Sequence, residues 1–526
     1  MIALRRIATH PLLLALLLGA IAACGFEPLA LWPLTLLGIA GLIELTARAG
    51  SWKQAALVGW FFGIGHFIIG NSWIATAFTY QANMPEWLGW IGVVVLSLYL
   101  AIYPMFAALG AWLITRRAAG QRIPLIIAFA GCWIVAEWLR SWLFTGYAWN
   151  PLAMAALGPF DRPGLAATAP WLGTYGLSGL VVLLAGCWLM AWHLRTRRLV
   201  ALGLALIPVV LFLLPSVSGV APEGTLRFTL VQPDIRQETL NDPAQFVSQF
   251  RKTAGLSEPL SPDSGTRLVL WPESGVPFYL ADGYPRHFYI AGQYELDPLM
   301  VRRTIGDTIG VGSLLLTGAV DLEVQDGNAV AARNVITAIG DDGSIAGSYA
   351  KAHLVPFGEY LPLRALLEPL GATRLVPGSI DFWPGPGAQT IDLGAWGRAG
   401  MQICYEIVFS GQVTDRNDRP DYIFNPSNDG WFGEWGPPQH LAQARMRAIE
   451  EGLPVLRSTT TGISAVIDAD GIVRQYIPRH EAGRLDGFVP PAHSPTLFAR
   501  AGNMLPLGWA AVLLVLCLVA LRRRRG

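Results

Sequence analysis

Residues 397–411 read G-R-A-G-M-Q-I-C-Y-E-I-V-F-S-G, and they place Cys404 directly after a short run of small and apolar residues. Such a run is typical of a buried strand, and the polar Tyr405 and Glu406 that follow indicate a turn. A thiol at the end of a strand is accessible to a substrate. The stretch therefore predicts a sheet with Cys404 at one edge.

Two other stretches place charged residues in the same kind of position. Leu268–Phe278 (L-V-L-W-P-E-S-G-V-P-F) has Glu273 just past an apolar run. Tyr349–Tyr360 (Y-A-K-A-H-L-V-P-F-G-E-Y) supplies Lys351 and Glu359. Residues that follow adjacent strands meet at one edge of a sheet, so we expect these side chains to lie close to the thiol.

The three residue types suit nucleophilic chemistry. A cysteine needs a base or a nearby positive charge to become a thiolate, and the oxyanion formed after its attack needs a donor. Glu273 can take the thiol proton, and Lys351 can favour the thiolate and stabilise the oxyanion. A Cys/His pair with His353 or His440 is the alternative. It is less favoured because His353 lies two residues from Lys351 and would point elsewhere in an extended segment.

The composition places much of the chain in lipid. Of its 526 residues 53% are hydrophobic and only 14% are charged, far fewer charges than in a soluble protein. The net charge of +1, without a basic stripe, argues against a nucleic-acid partner. Four of the five cysteines lie in apolar segments, and their spacing indicates neither a metal site nor a disulfide framework.

Eight apolar segments are candidate membrane spans. They cover residues 8–24, 28–46, 54–74, 88–115, 123–143, 172–193, 198–216 and 505–521, the first two as a helical hairpin. Arginines and lysines precede the first span and follow every even-numbered one, whereas the odd-numbered short connections contain a single Arg162. By the positive-inside rule both termini are cytoplasmic, and the long segment between spans seven and eight lies on the other side.

Two features of the spans leave alternatives open. Residues 21–24 (I-A-A-C) resemble a lipoprotein cleavage box, but the further spans favour an uncleaved first helix. In span five, Glu137 and Arg140 share one helix face. Charged groups at membrane depth are costly unless they are paired or face a polar cavity, so the two either form an internal ion pair or hold a lipid headgroup.

Residues 220–497 have the composition of a layered α/β domain. A helix is clearest at His440–Glu451, with Gly452 in the terminating position. The domains are therefore 1–217 with seven transmembrane helices, 220–497, and 503–526 with the eighth helix and a basic cytoplasmic tail. Nine β-rich runs predict strands at 225–232, 268–271, 314–319, 335–339, 391–393, 399–403, 422–424, 455–457 and 463–468.

Four motifs occur in order along this domain: W-P-E-S at Glu273, Y-x-K-x-H-L-V-P-F-G-E at Lys351, C-Y-E at Cys404, and N-P-S-N-D-G-W-F at Asn425–Phe432. They resemble the signatures of the nitrilase superfamily, whose members use a Glu-Lys-Cys triad. With the surrounding spans, the whole chain resembles the apolipoprotein N-acyltransferase family of the bacterial inner membrane. The resemblance implies a nitrilase-like α-β-β-α sandwich inserted between spans seven and eight, on the periplasmic side.

The resemblance also implies a reaction. Glu273 would be the general base, Lys351 the oxyanion donor and Cys404 the nucleophile that takes an acyl chain from a phospholipid as a thioester. The α-amino group of a diacylglyceryl-cysteine at the N-terminus of an apolipoprotein would then attack that thioester. This ping-pong transfer needs no cofactor and no metal, and we expect a monomer in the membrane.

Further positions match the family around the triad, and one departs from it. Several relatives carry a tryptophan near Asn241, so a lipid contact would come from another loop here, for example through Phe278, Tyr279 or Tyr289. The matching positions, with supporting or substrate-binding roles, are Glu359, Tyr405, Glu406, Asn428 and Trp431.

Two apolar stretches are expected to guide acyl chains. Residues 276–280 and 361–370 are unusually apolar for loops, and we expect both to dip toward the outer leaflet. A membrane-tethered amidase or nitrile hydrolase, which would use the same triad with water, is the alternative function. A degenerate scaffold is less favoured because all three triad residues are present.

Overall fold

The N-terminal part of the protein is a bundle of apolar helices. Our computed structural model describes residues 10–80, 85–118, 121–213, 223–261, 265–291, 294–295, 297–364 and 380–522. The helices of the bundle are α1 (Pro11–Ala23), α2 (Trp32–Ala47), α3 (Trp52–Gly70), α4 (Ile74–Ala77), α5 (Trp87–Leu100), α6 (Ile102–Thr115), α7 (Arg122–Arg140), α8 (Ala169–His193) and α9 (Arg198–Leu213).

Several of these segments can cross a membrane. In the described ranges four are long and apolar enough: Trp87–Thr115, Arg122–Arg140, Leu165–His193 and Met504–Arg522. A fifth is possible if Trp52–Gly70 and Ile74–Tyr80, which meet at 54°, form one span. The apolar helices α1, α2 and α9 are shorter. The described parts of the predicted apolar segments are thus helical. Fewer than eight of them are long and apolar enough to count as spans by this measure. Arg5 and Arg6 lie outside the described residues.

Helices α1 and α3 cross closely because glycines face the partner's backbone. A Cβ atom on Gly19 would lie 1.9 Å from the Phe62 carbonyl oxygen, and one on Gly65 would lie 2.0 Å from that of Leu16. Small residues allow helices to approach in lipid, where burial of apolar surface supplies little driving force. The sequence A-L-L-L-G-A on α1 therefore encodes a helix contact.

The part of the chain that follows α9 contains two six-stranded sheets. One has the order β14-β1-β2-β5-β6-β7 and the other β13-β12-β11-β10-β9-β8. Strands β1, β2 and β5 are parallel, as are β9, β10 and β11. The strands are β1 (Arg227–Gln232), β2 (Arg267–Leu270), β3 (Ile290–Ala291), β4 (Tyr294–Glu295), β5 (Ser313–Gln325), β6 (Asn328–Gly340), β7 (Ile345–Ala350), β8 (Thr390–Asp392), β9 (Arg398–Met401), β10 (Tyr422–Ser427), β11 (Val455–Thr459), β12 (Ser464–Ile467), β13 (Val473–Ile477) and β14 (Gly483–Phe488).

Helices cover the outer faces of both sheets. Leu268 and Leu270 of β2 pack between the sheets, whereas the intervening Val269 packs in a separate cluster with residues of α11 and α12. Burial on both faces explains why the strand reads as a continuous apolar run. The remaining helices are α10 (Gln237–Leu240), α11 (Phe246–Gly255), α12 (Pro298–Ile309), α13 (Gly436–Glu451), α14 (Leu497–Ala501) and α15 (Met504–Arg522).

The predicted elements are largely present. Each of the nine predicted strands overlaps a strand, and α13 ends at Gly452, whose φ of +65° is left-handed. The sequence missed five of the described strands. Two of them, β3 and β4, have only two residues each, and the other three, β7, β13 and β14, lie at sheet edges and carry polar and exposed residues.

Helix α13 packs the two-sheet domain against the helix bundle. The Gln439 Oε1 atom accepts hydrogen bonds from Trp149 Nε1 and Asn150 Nδ2, both at 2.8 Å. The Arg445 guanidinium donates to the Gly158 carbonyl at 2.8 Å. Buried polar groups that are paired in this way are costly to separate, so the two parts are held in one fixed orientation.

The expectation that residues 276–280 dip toward the outer leaflet was wrong. Val276 and Leu280 are 3% and 0% exposed and belong to the core beneath α11 and α12. Phe278 packs against Phe246 and Phe250 of α11 rather than facing lipid. The stretch is apolar because it fills this layer of the domain. In the second stretch Leu361 is buried and Leu363 is 74% exposed, and residues 365–370 lie outside the described ranges.

We predict that Gln439→Leu destabilises the whole protein. The change leaves the Trp149 and Asn150 donors buried without an acceptor, at a cost of about 1–3 kcal/mol for each group. Thermal unfolding in detergent should therefore begin several degrees lower, and Gln475→Leu on the exposed strand β13 should leave it unchanged. Equal melting temperatures for both variants would contradict the proposed docking.

Candidate active site

Cys404 lies in the turn after β9. The strand ends at Met401, and Cys404–Val408 form a short 3-10 turn. The φ angle of Cys404 is +50°, a left-handed value that costs a residue with a side chain on the order of 1 kcal/mol. Cys404 is only 5% exposed. The surrounding structure must therefore hold the thiol in this conformation.

Glu273 follows β2 and has both carboxylate oxygens held. Its Oε1 atom accepts a hydrogen bond from Asn334 Nδ2 at 2.8 Å, and its Oε2 atom accepts one from the Asn428 backbone N–H at 2.7 Å. Glu273 is 7% exposed. A carboxylate fixed at two points has a single orientation, as a general base requires.

Lys351 follows β7 directly and is 1% exposed. Its Nζ atom lies 2.9 Å from Glu359 Oε1 and 3.6 Å from Glu273 Oε1. Burial alone would lower the pKa of Lys351, but the carboxylates of Glu359 and Glu273 outweigh that effect and raise it. The amine is therefore a permanent buried cation between two carboxylates.

The thiol lies within the field of these charges. Burial raises the pKa of Cys404 well above its usual value, and the Glu273 carboxylate raises it further, whereas the Lys351 ammonium lowers it. The resting form at neutral pH is thus the thiol. Attack requires that its proton be taken as the reaction proceeds, which a neighbouring carboxylate can do.

Glu406 connects the cysteine turn to the lysine segment. Its Oε2 atom accepts from the Ile403 N–H at 2.8 Å, and its Oε1 atom accepts from Tyr349 Oη at 2.8 Å and from the Ala352 N–H at 2.7 Å. Burial raises the pKa of Glu406 to about 7, against the lowering effect of these backbone donors. The carboxylate therefore fixes the positions of Cys404 and Lys351 relative to each other.

The other predicted residues lie around this group. Asn428 contributes its backbone N–H to Glu273, as described above. The Trp431 ring packs edge-on against Tyr80 of the membrane bundle, with centroids 5.6 Å apart. The Tyr405 ring packs edge-on against Phe409 at 5.1 Å. The structure thus brings all eight predicted residues to one end of the sandwich, next to the bundle.

Comparison with known proteins identifies the family. Residues 18–187 match the model of the apolipoprotein N-acyltransferase N-terminal domain, and residues 229–485 match that of the carbon-nitrogen hydrolases. The apolipoprotein N-acyltransferase of Rhodopseudomonas palustris is 34% identical over 97% of this chain and 95% of its own length. That of Methylococcus capsulatus is 32% identical over 98% and 97%. The chain belongs to the apolipoprotein N-acyltransferase family.

Solved structures match about half of the chain. An amidase from Nesterenkonia sp. AN1 is 17% identical and covers 55% of this chain and 96% of its own, with a TM-score of 0.33. Saccharomyces cerevisiae Nit3, of the nitrilase superfamily, is 17% identical over 52% and 93%, also with a TM-score of 0.33. The relatives of this N-acyltransferase are bacterial, and its apolar helices are those of a membrane protein.

The N-acyltransferase site contains a residue that the sequence analysis missed. Asn334 lies within β6, and its Nδ2 atom donates to Glu273 Oε1 at 2.8 Å and to Glu359 Oε1 at 3.0 Å. Its carbonyl accepts the Lys351 N–H at 2.9 Å. No local pattern marked it, because Arg333 and Thr337 of the same strand are polar as well.

The alternatives left open by the sequence are resolved in part. The His353 ring stacks on Phe409 at 4.3 Å, and His440 donates to a backbone carbonyl, so neither pairs with the thiol. Glu137 and Arg140 form no direct ion pair in the described structure. Glu137 accepts from the Leu152 N–H, and Arg140 donates to the Trp149 carbonyl, both at 2.8 Å. Both side chains thus hold the loop that follows α7.

The side chains that commonly bind metal ions form no metal site in the described part of the chain. It contains no cluster of three or more histidine, cysteine, aspartate or glutamate side chains suited to a metal. All five cysteines have free thiols.

We predict a distinctive pH profile for the thiol. Because burial and Glu273 raise the pKa of Cys404 above its usual value of 9.0, the thiolate fraction should still increase beyond pH 9. Alkylation by iodoacetamide, followed by intact mass, should accelerate over that range. Lys351→Met should slow alkylation at every pH because it removes the stabilising cation, and Cys187→Ala should match the wild type. A plateau below pH 9 would contradict this description of the site.

Proposed function

We propose that this protein transfers an acyl chain from a membrane phospholipid to the α-amino group of an S-diacylglyceryl-cysteine at the N-terminus of an apolipoprotein. The observation that carries the proposal is the buried group of Glu273, Lys351 and Cys404, docked against apolar helices. Relatives named apolipoprotein N-acyltransferase along nearly the whole chain support it.

The first half-reaction charges the enzyme. Glu273 takes the proton from the Cys404 thiol as sulfur attacks the ester carbonyl of the phospholipid. The carbonyl oxygen becomes an oxyanion, which the Lys351 ammonium stabilises. The ester C–O bond then breaks, Glu273 returns the proton to the departing hydroxyl, and a lysophospholipid leaves. The acyl chain remains on Cys404 as a thioester.

The second half-reaction passes the chain to an amine. The neutral α-amino group attacks the thioester carbonyl while Glu273 accepts one of its protons. The C–S bond breaks, the thiolate leaves and receives that proton, and an amide has formed. Both half-reactions use the same base and the same oxyanion site, and Cys404 is the nucleophile in the first and the leaving group in the second, as a ping-pong mechanism requires.

The backbone supplies a second oxyanion donor. The Tyr405 N–H follows the nucleophile directly and has no hydrogen-bond partner among the described residues. In a trans peptide the N–H points opposite to the preceding C=O, so it points away from the Cys404 carbonyl. An unpaired N–H next to the sulfur can bind the oxyanion that the attack creates.

The same proposal extends to the topology. We propose eight spans, namely the four long helices, the bent pair and the three shorter apolar helices. The domains are then 1–217, 220–497 and 503–526, in the inner membrane, with the catalytic domain on the periplasmic side. Basic residues after the even-numbered spans support this orientation. A tether at each end keeps a buried thiol near the lipid surface, and we propose that it acts as a monomer.

A half-open cavity of about 320 Å³ is the proposed lipid entrance. It lies between Thr145 of the membrane domain and residues 352–354, 360 and 381–384 of the catalytic domain. Trp383 on its rim is 41% exposed, and Phe144, next to Thr145, is 88% exposed. Exposed aromatic side chains beside a concave site suit an acyl chain.

The function is tested with a phospholipid donor and a diacylated lipopeptide acceptor in detergent micelles. We expect wild-type protein to yield the N-acylated lipopeptide and a lysophospholipid in equal amounts, measured by mass spectrometry. Cys404→Ala should yield neither, and Cys187→Ala, which removes a cysteine of α8, should act as the wild type. Release of free fatty acid without acylated peptide would favour the hydrolase instead.

We predict that Trp383→Ala separates lipid capture from chemistry. Loss of one large apolar contact should lower kcat/KM for phospholipid by about tenfold. Acylation by the small ester p-nitrophenyl butyrate should change little, because its acyl chain makes few contacts. The control is Trp192→Ala. This residue lies at the C-terminal end of α8, and its loss should affect neither rate. An equal loss with both donors would show that Trp383 supports the site rather than the lipid entrance.

A further inference from the structure

A second polar group lies directly behind the cysteine turn. His440 of α13 is 0% exposed, and its Nε2 atom lies 3.1 Å from the Cys404 carbonyl oxygen. Its Nδ1 atom faces Asp429 Oδ1 at 2.9 Å and Arg457 Nη2 at 3.0 Å. The triad does not use these three side chains. Buried polar groups are costly, so this arrangement calls for a physical explanation.

The contacts fix the role of the Nε2 atom. A carbonyl oxygen only accepts, so Nε2 carries a hydrogen and donates it to Cys404. Burial lowers the pKa of His440, and the Arg457 charge lowers it further, against the raising effect of Asp429. The Nδ1 atom lies between the Asp429 carboxylate and the Arg457 guanidinium, and with either partner Nε2 remains the donor to the Cys404 carbonyl.

Arg457 anchors the group to both sides of the turn. It donates to both carboxylate oxygens of Asp429, at 2.9 and 2.7 Å, and also to the Asn425 side chain. The Asn425 amide in turn donates to the Gln402 carbonyl at 2.6 Å. The carbonyl oxygens of residues 402 and 404 are thus both held from one buried network.

The carbonyl that His440 holds belongs to the peptide whose N–H is the proposed oxyanion donor. A planar trans peptide moves as one unit, so fixing the Cys404 oxygen also fixes the direction of the Tyr405 N–H. Cys404 has a strained φ of +50°, and without a partner for its carbonyl that peptide could rotate.

We propose that His440, oriented by Asp429 and Arg457, is a positioning residue that holds the 404–405 peptide so that the Tyr405 N–H meets the oxyanion. The inference rests on the proposed acyl transfer. It assigns to His440 no contact with substrate and no proton transfer. It therefore differs from a Cys/His mechanism, in which the imidazole would bind the sulfur.

Two chemistries at the same thiol test the proposal. Acylation of Cys404 by p-nitrophenyl butyrate passes through an oxyanion, whereas alkylation by iodoacetamide attacks a saturated carbon and forms none. A residue that acts only through the oxyanion donor affects the first rate and not the second. Both rates are measured on intact, detergent-purified protein by mass, relative to the amount of folded enzyme.

Two variants of similar polarity form a matched pair. The amide of His440→Gln extends to the position of Nε2 and can donate to Cys404, whereas that of His440→Asn ends near Nδ1 and cannot. His440→Asn should lower acylation by about 100-fold, the usual effect of losing one oxyanion donor, and leave alkylation within about threefold. His440→Gln should retain at least about ten times the acylation rate of the Asn variant. His493→Asn, on an exposed histidine, should change neither rate.

Three results would overturn the inference: equal loss of both rates in His440→Asn, no loss of acylation, or a Gln variant no better than Asn. A failure of the proposed function has a different signature. Wild-type Cys404 would then be acylated by p-nitrophenyl butyrate but never by phospholipid, while the effect of His440→Asn on the ester reaction would persist.

Discussion

The Lys351 ammonium, buried between Glu273 and Glu359, is the interaction on which the rest of the site depends. Its Nζ atom is 2.9 Å from one carboxylate and 3.6 Å from the other, and all three groups are almost fully buried. Removing one member of such a group leaves an uncompensated charge, which is strongly destabilising. The cation therefore fixes the orientation of the Glu273 carboxylate. Its charge also lowers the pKa of Cys404, which burial raises.

In the proposed function, the contact between the two domains determines which substrate the site attacks. The Glu-Lys-Cys group alone could hydrolyse an amide, and the superfamily fold does not specify which carbonyl is attacked. Here α13 packs its polar face on the bundle through Gln439 and Arg445, and the same helix carries His440 behind the cysteine turn. One helix thus holds the thiol close to lipid and supports its backbone. In the proposed reaction, the phospholipid ester is attacked without leaving the membrane.

The sequence predicted those parts of the site that follow apolar strands. Glu273 and Cys404 could be located because each comes just after such a run, and Lys351 could be located from its motif although β7 was not predicted. Asn334 could not, because its role depends on β6 lying beside β7 and close to the turn after β2, which no local pattern reveals. Residues 276–280 were misplaced because an apolar loop has the same composition whether it faces lipid or fills a core. The edge strand β14 was missed because it contains no apolar run.

The proposed mechanism requires one thioester on Cys404 that is formed from lipid and consumed by an amine. The most direct measurement isolates the acylated protein, free of phospholipid, and follows its intact mass after mixing with a diacylated lipopeptide. We expect the acyl mass to leave Cys404 and to appear on the peptide amine, whereas the same peptide with an acetylated amine should leave the thioester intact. Loss of the acyl group to water at the same rate with both peptides would contradict it.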